Sequence, residues 1–342
     1  MVRGARKPRL ADVAARAGVS RTTASYILNG RSDEMRISAE AVARVRAAVV
    51  DLGYRPNRTA RSLRTAQTRT VGLISDNVAS GHFASRMLTG ASAAAREADH
   101  FLLIGETDGD PLVERLLAEQ MLDQGVDGIV YATLRHREVV VPPSLLQARV
   151  VLLNCVDPAS GLPAVVPDEH GGGRAAADLA ARAAGPVVVV GDEREQGTHA
   201  GTMRLAGLEE RLDELGRAVD DVVRCDWTVP AARSALACWW SGGGPAGSLV
   251  CMNDRVAMGA YQALDGLDAS IPADVAVVSF DGSELASWLT PTLTTVGLPF
   301  ADLGEAAVRT LLDPDARGSG TQRLAMPVVH GGSVPTVARV TP

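Results

Sequence analysis

From residue 70 onward the chain repeats one alternation: a short apolar run, a polar or helical stretch, then another apolar run. Val71–Ile74, Phe101–Ile104, Gly128–Ala132, Val150–Asn154, Val187–Val190, Ser248–Met252 and Val275–Phe280 are the apolar runs. Ala-rich Phe83–Asp99 and Pro111–Gln124 have helical character between them. Runs this short and this continuous read as strands buried on both faces, which parallel sheets covered by helices provide. The pattern predicts parallel sheets in two lobes. Ligands of such sheets sit beyond the carboxyl ends of the strands. Ser75-Asp76, Asn154, Asn253-Asp254 and Asp281 stand there, polar groups placed where apolar strand stops, so a cleft is expected. A chain of 342 residues has room for this body and one or two further domains.

Charge marks off one such domain. Residues 1–70 hold 15 Lys and Arg against 5 Asp and Glu, a net +10, and the remainder holds 19 against 35, a net −16. A short basic module fused to a larger acidic body points to a polyanion partner for the first part only. Met1 to Arg9 is basic, but no apolar segment follows before Asp12 and Arg16, so no secretory signal is expected. Runs such as Val187–Val190 fall far short of the ~20 residues that cross a bilayer, and no membrane partner is expected. Cys155, Cys225, Cys238 and Cys251 show no C-x-x-C spacing. Free thiols in a reducing cytoplasm suit them better than disulfides or zinc, and neither metal nor cofactor is expected.

In the basic part, Leu10, Val13, Ala14 and Ala17 recur at helical spacing until Gly18-Val19-Ser20 breaks the run. Ser20 is a good N-cap for a second helix from Arg21 to Leu28, with Ala24, Ile27 and Leu28 facing inward. Asn29-Gly30 closes it. Ser38 caps a third helix through Leu52, carrying Val42, Val45, Val49 and Leu52 on one stripe. This is a helix-turn-helix pattern, in which the second helix enters the DNA major groove. Arg21, Thr22, Thr23, Ser25 and Tyr26 form the candidate groove-facing set. Arg21 suits a bidentate contact to guanine, and Thr22 a thymine methyl.

Beyond Pro56, Asn57 is a candidate N-cap for a short segment carrying Arg58, Arg61 and Arg64 at every third position. Like charges so close oppose a free helix, and phosphates would neutralise them, so this segment is expected to fold on DNA.

Leu10-Ala-Asp-Val-Ala14, Ala17-Gly-Val-Ser20, Ser25-Tyr-Ile-Leu-Asn-Gly30, Leu52-Gly-Tyr-Arg-Pro-Asn57 and Ala60-Arg-Ser-Leu63 together resemble the lactose/galactose repressor family of bacterial transcription regulators. The likeness continues through Val71-Gly-Leu-Ile74, Gly125-Val-Asp-Gly-Ile129, Arg204-Leu-Ala-Gly207, Asn253-Asp254, Ala257-Met-Gly-Ala260, Ser279-Phe-Asp281 and Pro291-Thr-Leu-Thr-Thr295. It implies an N-terminal all-α helix-turn-helix domain plus an α/β effector domain, a two-lobed periplasmic-binding-protein-like fold with parallel sheets. The implied domains are a DNA-binding domain over 1–56, a hinge over 57–69 and an effector-binding and dimerisation body over 70–342. Within the body, lobe 1 is expected at about 70–166 and 297–328, and lobe 2 at about 167–296 and 329–342. The resemblance further implies that Asn57, Arg58, Arg61 and Leu63 act in the minor groove, Leu63 as a wedge between base steps. It places Asp76, Phe83, Asn154, Arg204, Trp227, Asn253 and Asp281 at the effector cleft. Family members usually carry Arg where Tyr26 stands, which bears on the operator sequence.

The expected function is a homodimeric repressor of operator DNA controlled by a small-molecule effector, a sugar in first place and a purine or nucleoside as the alternative. A solute-binding protein without a DNA role shares the two-lobed architecture, but the basic head argues against it. Six scattered histidines form no catalytic spacing, so no enzyme is expected. Gly171-Gly-Gly173 lacks the Lys-Ser/Thr of a phosphate loop and reads as a loose helix start. The sequence runs to Pro342 without an apolar heptad segment, so a dimer is expected in place of a coiled-coil tetramer.

Overall fold

The computed structural model describes residues 8–55, 67–78, 85–191, 199–243, 247–316 and 320–335. Asn57, Arg58, Arg61 and Leu63 of the expected hinge, and Phe83, lie outside the described residues. The chain forms two compact units, Met1–Thr68 and Arg69–Pro342.

The first unit contains α1 (Leu10–Ala17), α2 (Arg21–Leu28) and α3 (Ala39–Leu52). Gly18, at φ +63°, ends α1 in the left-handed region that a side chain rarely adopts. Ser20 then starts α2 by accepting a hydrogen bond from the Thr23 amide at 3.0 Å, and Ser38 starts α3 in the same way. Val13, Ala24 and Val45 are wholly buried at the centre. The buried line of α3 runs through Ala41, Val45 and Ala48, while Val42, Val49 and Leu52 pack only partly against the core. Small alanines at the crossing allow short helices to approach closely, so the larger residues fall to the margins.

The second unit follows in the order β1 (Thr70–Ser75), α4 (Ser85–Glu97), β2 (Phe101–Glu106), α5 (Pro111–Asp123), β3 (Gly128–Glu138), β4 (Val150–Val156), β5 (Ala164–Pro167) and α6 (Glu169–Ala180). Next come β6 (Val187–Val190), α7 (His199–Glu214), β7 (Val219–Val223), α8 (Val229–Ser241), β8 (Ser248–Cys251), α9 (Asp254–Asp265) and β9 (Ala276–Asp281). The chain continues with α10 (Leu285–Trp288), β10 (Thr294–Gly297), α11 (Phe300–Leu312), β11 (Thr321–Leu324) and β12 (Val328–Val329). Two six-stranded sheets result, ordered β11-β5-β4-β3-β1-β2 and β12-β10-β9-β8-β6-β7. Every neighbouring pair is parallel except β10 with β12. The chain passes between the sheets after β5, after β10 and between β11 and β12.

Helices cover both sheets, and paired glycines set two of the helix crossings. A Cβ at Gly90 of α4 would run into the Ala301 carbonyl, and one at Gly304 of α11 into the Met87 carbonyl. Gly173 of α6 and Gly207 of α7 meet the Arg204 and His170 carbonyls in the same way. The Gly171-Gly-Gly173 run is therefore not a loose start. Asp168 caps α6 by accepting from the Gly171 amide at 3.0 Å, and Gly173 is a point of backbone contact between helices. The Phe101–Ile104 run also differs from a strand buried on both faces. As β2 it forms the edge of its sheet, with Phe101, Leu103 and Ile104 exposed.

Candidate functional site

In the head, the turn after α1 presents the first turn of α2. Arg21 and Thr22 are exposed there. Thr23 is half-buried, and its hydroxyl pairs with the Ser20 hydroxyl at 2.8 Å, so this residue helps build the cap. Ser25 serves the other end of α2, where Asn29 Nδ2 donates to its carbonyl at 2.7 Å and its hydroxyl at 3.2 Å. The half-buried Tyr26 has the Arg31 guanidinium 5.2 Å from its ring centroid. Arg31 is itself paired with Glu34 through Nε and Nη2 at 2.7 and 2.6 Å. Two of the five groove-facing candidates, Thr23 and Ser25, thus also maintain the helix, Arg21 and Thr22 are presented outward, and Tyr26 is half-buried beside Arg31.

In the body, the carboxyl ends of the second sheet converge on Arg204. This side chain is 2% exposed, on α7, and its Nε donates to Glu169 Oε2 at 2.7 Å and its Nη2 to Oε1 at 3.3 Å. Nη1 donates to the Met252 carbonyl at 2.7 Å and lies 3.9 Å from Asp281 Oδ1. The guanidinium stands 4.7 Å from the Phe280 ring centroid and 5.7 Å from that of Trp227, whose Nε1 donates to the Gly191 carbonyl. Asn253, beside Met252, caps α9 by accepting from the Val256 amide at 2.8 Å. Arg204, Trp227, Asn253 and Asp281 therefore form one cluster.

The charges in this cluster are set by burial and pairing. Burial works to raise the Glu169 carboxyl, but the Arg204 charge, with help from His136, holds it below the ordinary glutamate value. Burial likewise opposes the Arg204 charge, which the carboxylates of Glu169 and Asp281 restore. Asp281 goes the other way: burial, with Asp254 and Glu169 nearby, outweighs Arg204 and pushes its carboxyl up to about 7. Its backbone is in the left-handed region at φ +105°, a strain of the kind that accumulates at functional sites. Asp254 is raised by burial, although Oδ1 accepts from the Ser279 and Thr295 hydroxyls at 2.8 and 2.9 Å and Oδ2 from the Ser283 amide and hydroxyl at 2.8 and 2.7 Å.

Asp76 and Asn154 belong to the first sheet and meet at residues 133 and 134. Asn154, at φ +59°, donates from Nδ2 to the Thr133 and Leu134 carbonyls at 3.0 and 3.1 Å. Asp76 Oδ1 accepts from the Leu134 amide at 2.7 Å, and Oδ2 lies 3.4 Å from Arg137 Nη2. Asp76 also lines a cavity of about 260 Å³ together with Thr107, Glu114, Tyr131 and Arg137.

Sequence reasoning missed Glu169, which occupies most of the Arg204 fork, and His136, whose ring on the first sheet lies 3.8 Å from Glu169. Asp254 had been noted at a strand end but not as a hub. The Glu169 signal was faint, an acidic residue directly after a helix-capping Asp168. No group of three or more His, Cys, Asp or Glu suited to a metal ion occurs among the described residues. No helix among them is long and apolar enough to cross a membrane.

The comparisons agree with this architecture. Residues 9–57 match the bacterial regulatory proteins of the lacI family, and residues 165–334 a periplasmic binding protein-like domain. The transcriptional regulator MalR of Streptomyces coelicolor is 33% identical over 328 residues, covering 89% of each chain. The ribose operon repressor of Escherichia coli is 29% identical over 310 residues, 88% of this chain and 91% of that one. A crystal structure of the lac repressor dimer bound to operator and the anti-inducer ONPF superposes with a TM-score of 0.78 at 23% identity, covering 96% of this chain and 99% of that one.

Proposed function

Because the chain belongs to the LacI family of bacterial regulatory proteins, and is accordingly a DNA-binding transcriptional regulator with an effector-binding body, we propose a division of labour among its residues. Residues 1–56 read the operator, 57–69 act as the hinge and 70–342 bind effector and dimerise. Arg21, Thr22 and Tyr26 contact base edges, while Thr23 and Ser25 hold the recognition helix at its ends. Asn57, Arg58, Arg61 and Leu63 engage the minor groove. Arg204, Trp227, Asn253 and Asp281 receive the effector, together with Asp76 and Asn154 of the first sheet and, by family resemblance, Phe83. A sugar suits this set, since carboxyl and amide groups bond hydroxyls and the Trp227 ring offers a plane to C–H faces. The protein acts in the cytoplasm as a homodimer, and exposed Phe101, Leu103 and Ile104 on edge strand β2, with Leu112 and Leu116 on α5, offer an apolar face for the second copy.

The observation that carries the effector reading is the buried Arg204 at the carboxyl ends of the second sheet, flanked by two carboxylates and an indole. Effector preference for one lobe arrangement is what would shift operator affinity. The test has two parts. Binding to the protein's own promoter region should weaken with salt, log affinity falling by about 0.9 per neutralised phosphate for each unit of log salt. Removing residues 1–69 should abolish it. On the body alone, ribose, maltose and hypoxanthine are screened by thermal shift, and a sugar should raise the melting temperature in wild type but not in Asp281→Asn. A response to hypoxanthine alone would move the effector to the purine class.

A further inference from the structure

His136 lies in the C-terminal half of β3, 6% exposed, and neither ring nitrogen has a hydrogen-bond partner among the described residues. Burying such a group without a partner is costly. The ring meets His199 edge-on, with centroids 4.8 Å apart and planes at 63°. Nδ1 is 3.8 Å from Glu169 Oε1, beyond hydrogen-bond reach. β3 belongs to the first sheet, whereas α6 and α7, which carry Glu169 and His199, pack with the second. The contact therefore joins the two halves of the body through a pair of imidazoles.

The charges around the pair limit how many protons it takes. Glu138 comes from β3 itself, Glu169 from α6, Arg204 from α7 and Arg323 from β11. Glu169 is already committed to Arg204, so little negative charge is left over. A single imidazolium fits beside that carboxylate, but a second would place two like charges 4.8 Å apart between a buried and a half-buried ring.

We propose that His136 and His199 form a proton-sensitive latch between the two lobes, closed while the pair holds at most one proton and released when both rings are charged. Burial, followed by the neighbouring His136, keeps the His199 ring below its ordinary value of 6.5 in the closed arrangement. Separation returns the His199 ring to water and toward that ordinary value, so falling pH favours separation, and the His199 contribution to the closed state is complete only above about 6.5. Nothing in this depends on which molecule fills the cleft.

The test is hydrogen exchange of the full chain at pH 7.5 and 5.5, corrected for intrinsic rates. Segments 133–138 and 199–208 of the wild type should open more readily in acid, by a few-fold, since repulsion of two unit charges at this separation is about fourfold with the dielectric of water when both rings are charged. Segments 87–91 and 301–308, at the α4–α11 crossing, should not change. His136→Phe keeps a ring in place without a charge and should remove the acid response, as should His199→Gln if the first variant does not fold. In His136→Phe the His199 ring, followed by NMR, should titrate at higher pH than in the wild type. Equal opening at both pH values, an acid response that survives both substitutions, or one spread over the reference segments overturns the latch.

Discussion

The two sheets of the body share a plan. Each places its second strand outside its first and then adds three more in sequence, so that β2-β1-β3-β4-β5 and β7-β6-β8-β9-β10 have the same order. Each sits under a helix pair that meets through glycine against backbone, Gly90 with Gly304 and Gly173 with Gly207. They differ at their carboxyl edges. In the first sheet, Asp76 and Asn154 are largely committed to main-chain groups at residues 133 and 134. In the second, Arg204, Glu169 and Asp281 face one another, and Asp254 gathers Ser279, Ser283 and Thr295. One topology thus supports a braced backbone on one side and a charged cluster on the other, and chemistry follows the side chains and not the fold.

That contrast is open to direct attack. Arg204→Leu strands Glu169 and should cost about 3–5 kcal/mol of body stability in a urea titration. The double change with Glu169→Leu should recover much of the loss, and failure to recover would mean that the pair is not the source. Asp281 affects stability in the opposite sense to a carboxylate whose value is lowered by an ion pair. Its folded-state value of about 7 exceeds the ordinary 3.8, so its contribution is complete below about 4 and is lost as pH rises through 7. The wild type should therefore decline over that window relative to Asp281→Asn by on the order of 3 kcal/mol, and a difference of the other sign would contradict the burial argument. Gly90→Ala and Gly173→Ala should each cost about 1–3 kcal/mol through forced backbone shifts; clearly unequal losses would break the equivalence of the lobes. Asn154→Ala should be mildest, about 1 kcal/mol for its bonds to two carbonyls, with the largest change in exchange at residues 133–138.

Legibility from sequence followed the range of the forces involved. The limits of α2 were readable because Ser20 caps it and Gly18 stops the helix before it, interactions within a few residues. The central strands were readable because burial on both faces leaves only apolar residues. β11 and β12 were not seen, since Thr321–Leu324 is mainly polar and Val328–Val329 is two residues long, and both are strands only by pairing with distant β5 and β10. Phe101–Ile104 was recognised as a strand, but its exposed edge position was hidden by the same apolar character. Arg204 and Asp281 were placed by motif. Glu169 lies 35 residues before the arginine it neutralises, and no local pattern announces a buried charge whose partner is that remote.

The outermost strand on one side of each sheet comes from residues 321–329. As the polypeptide leaves the ribosome, both β5 and β10 wait with an unsatisfied flank until this last stretch is synthesised, although most of the first lobe was made far earlier. The nascent body is consequently vulnerable to sticking and chaperone capture late in translation, and a premature stop near residue 320 would leave both lobes open at once instead of sparing the first.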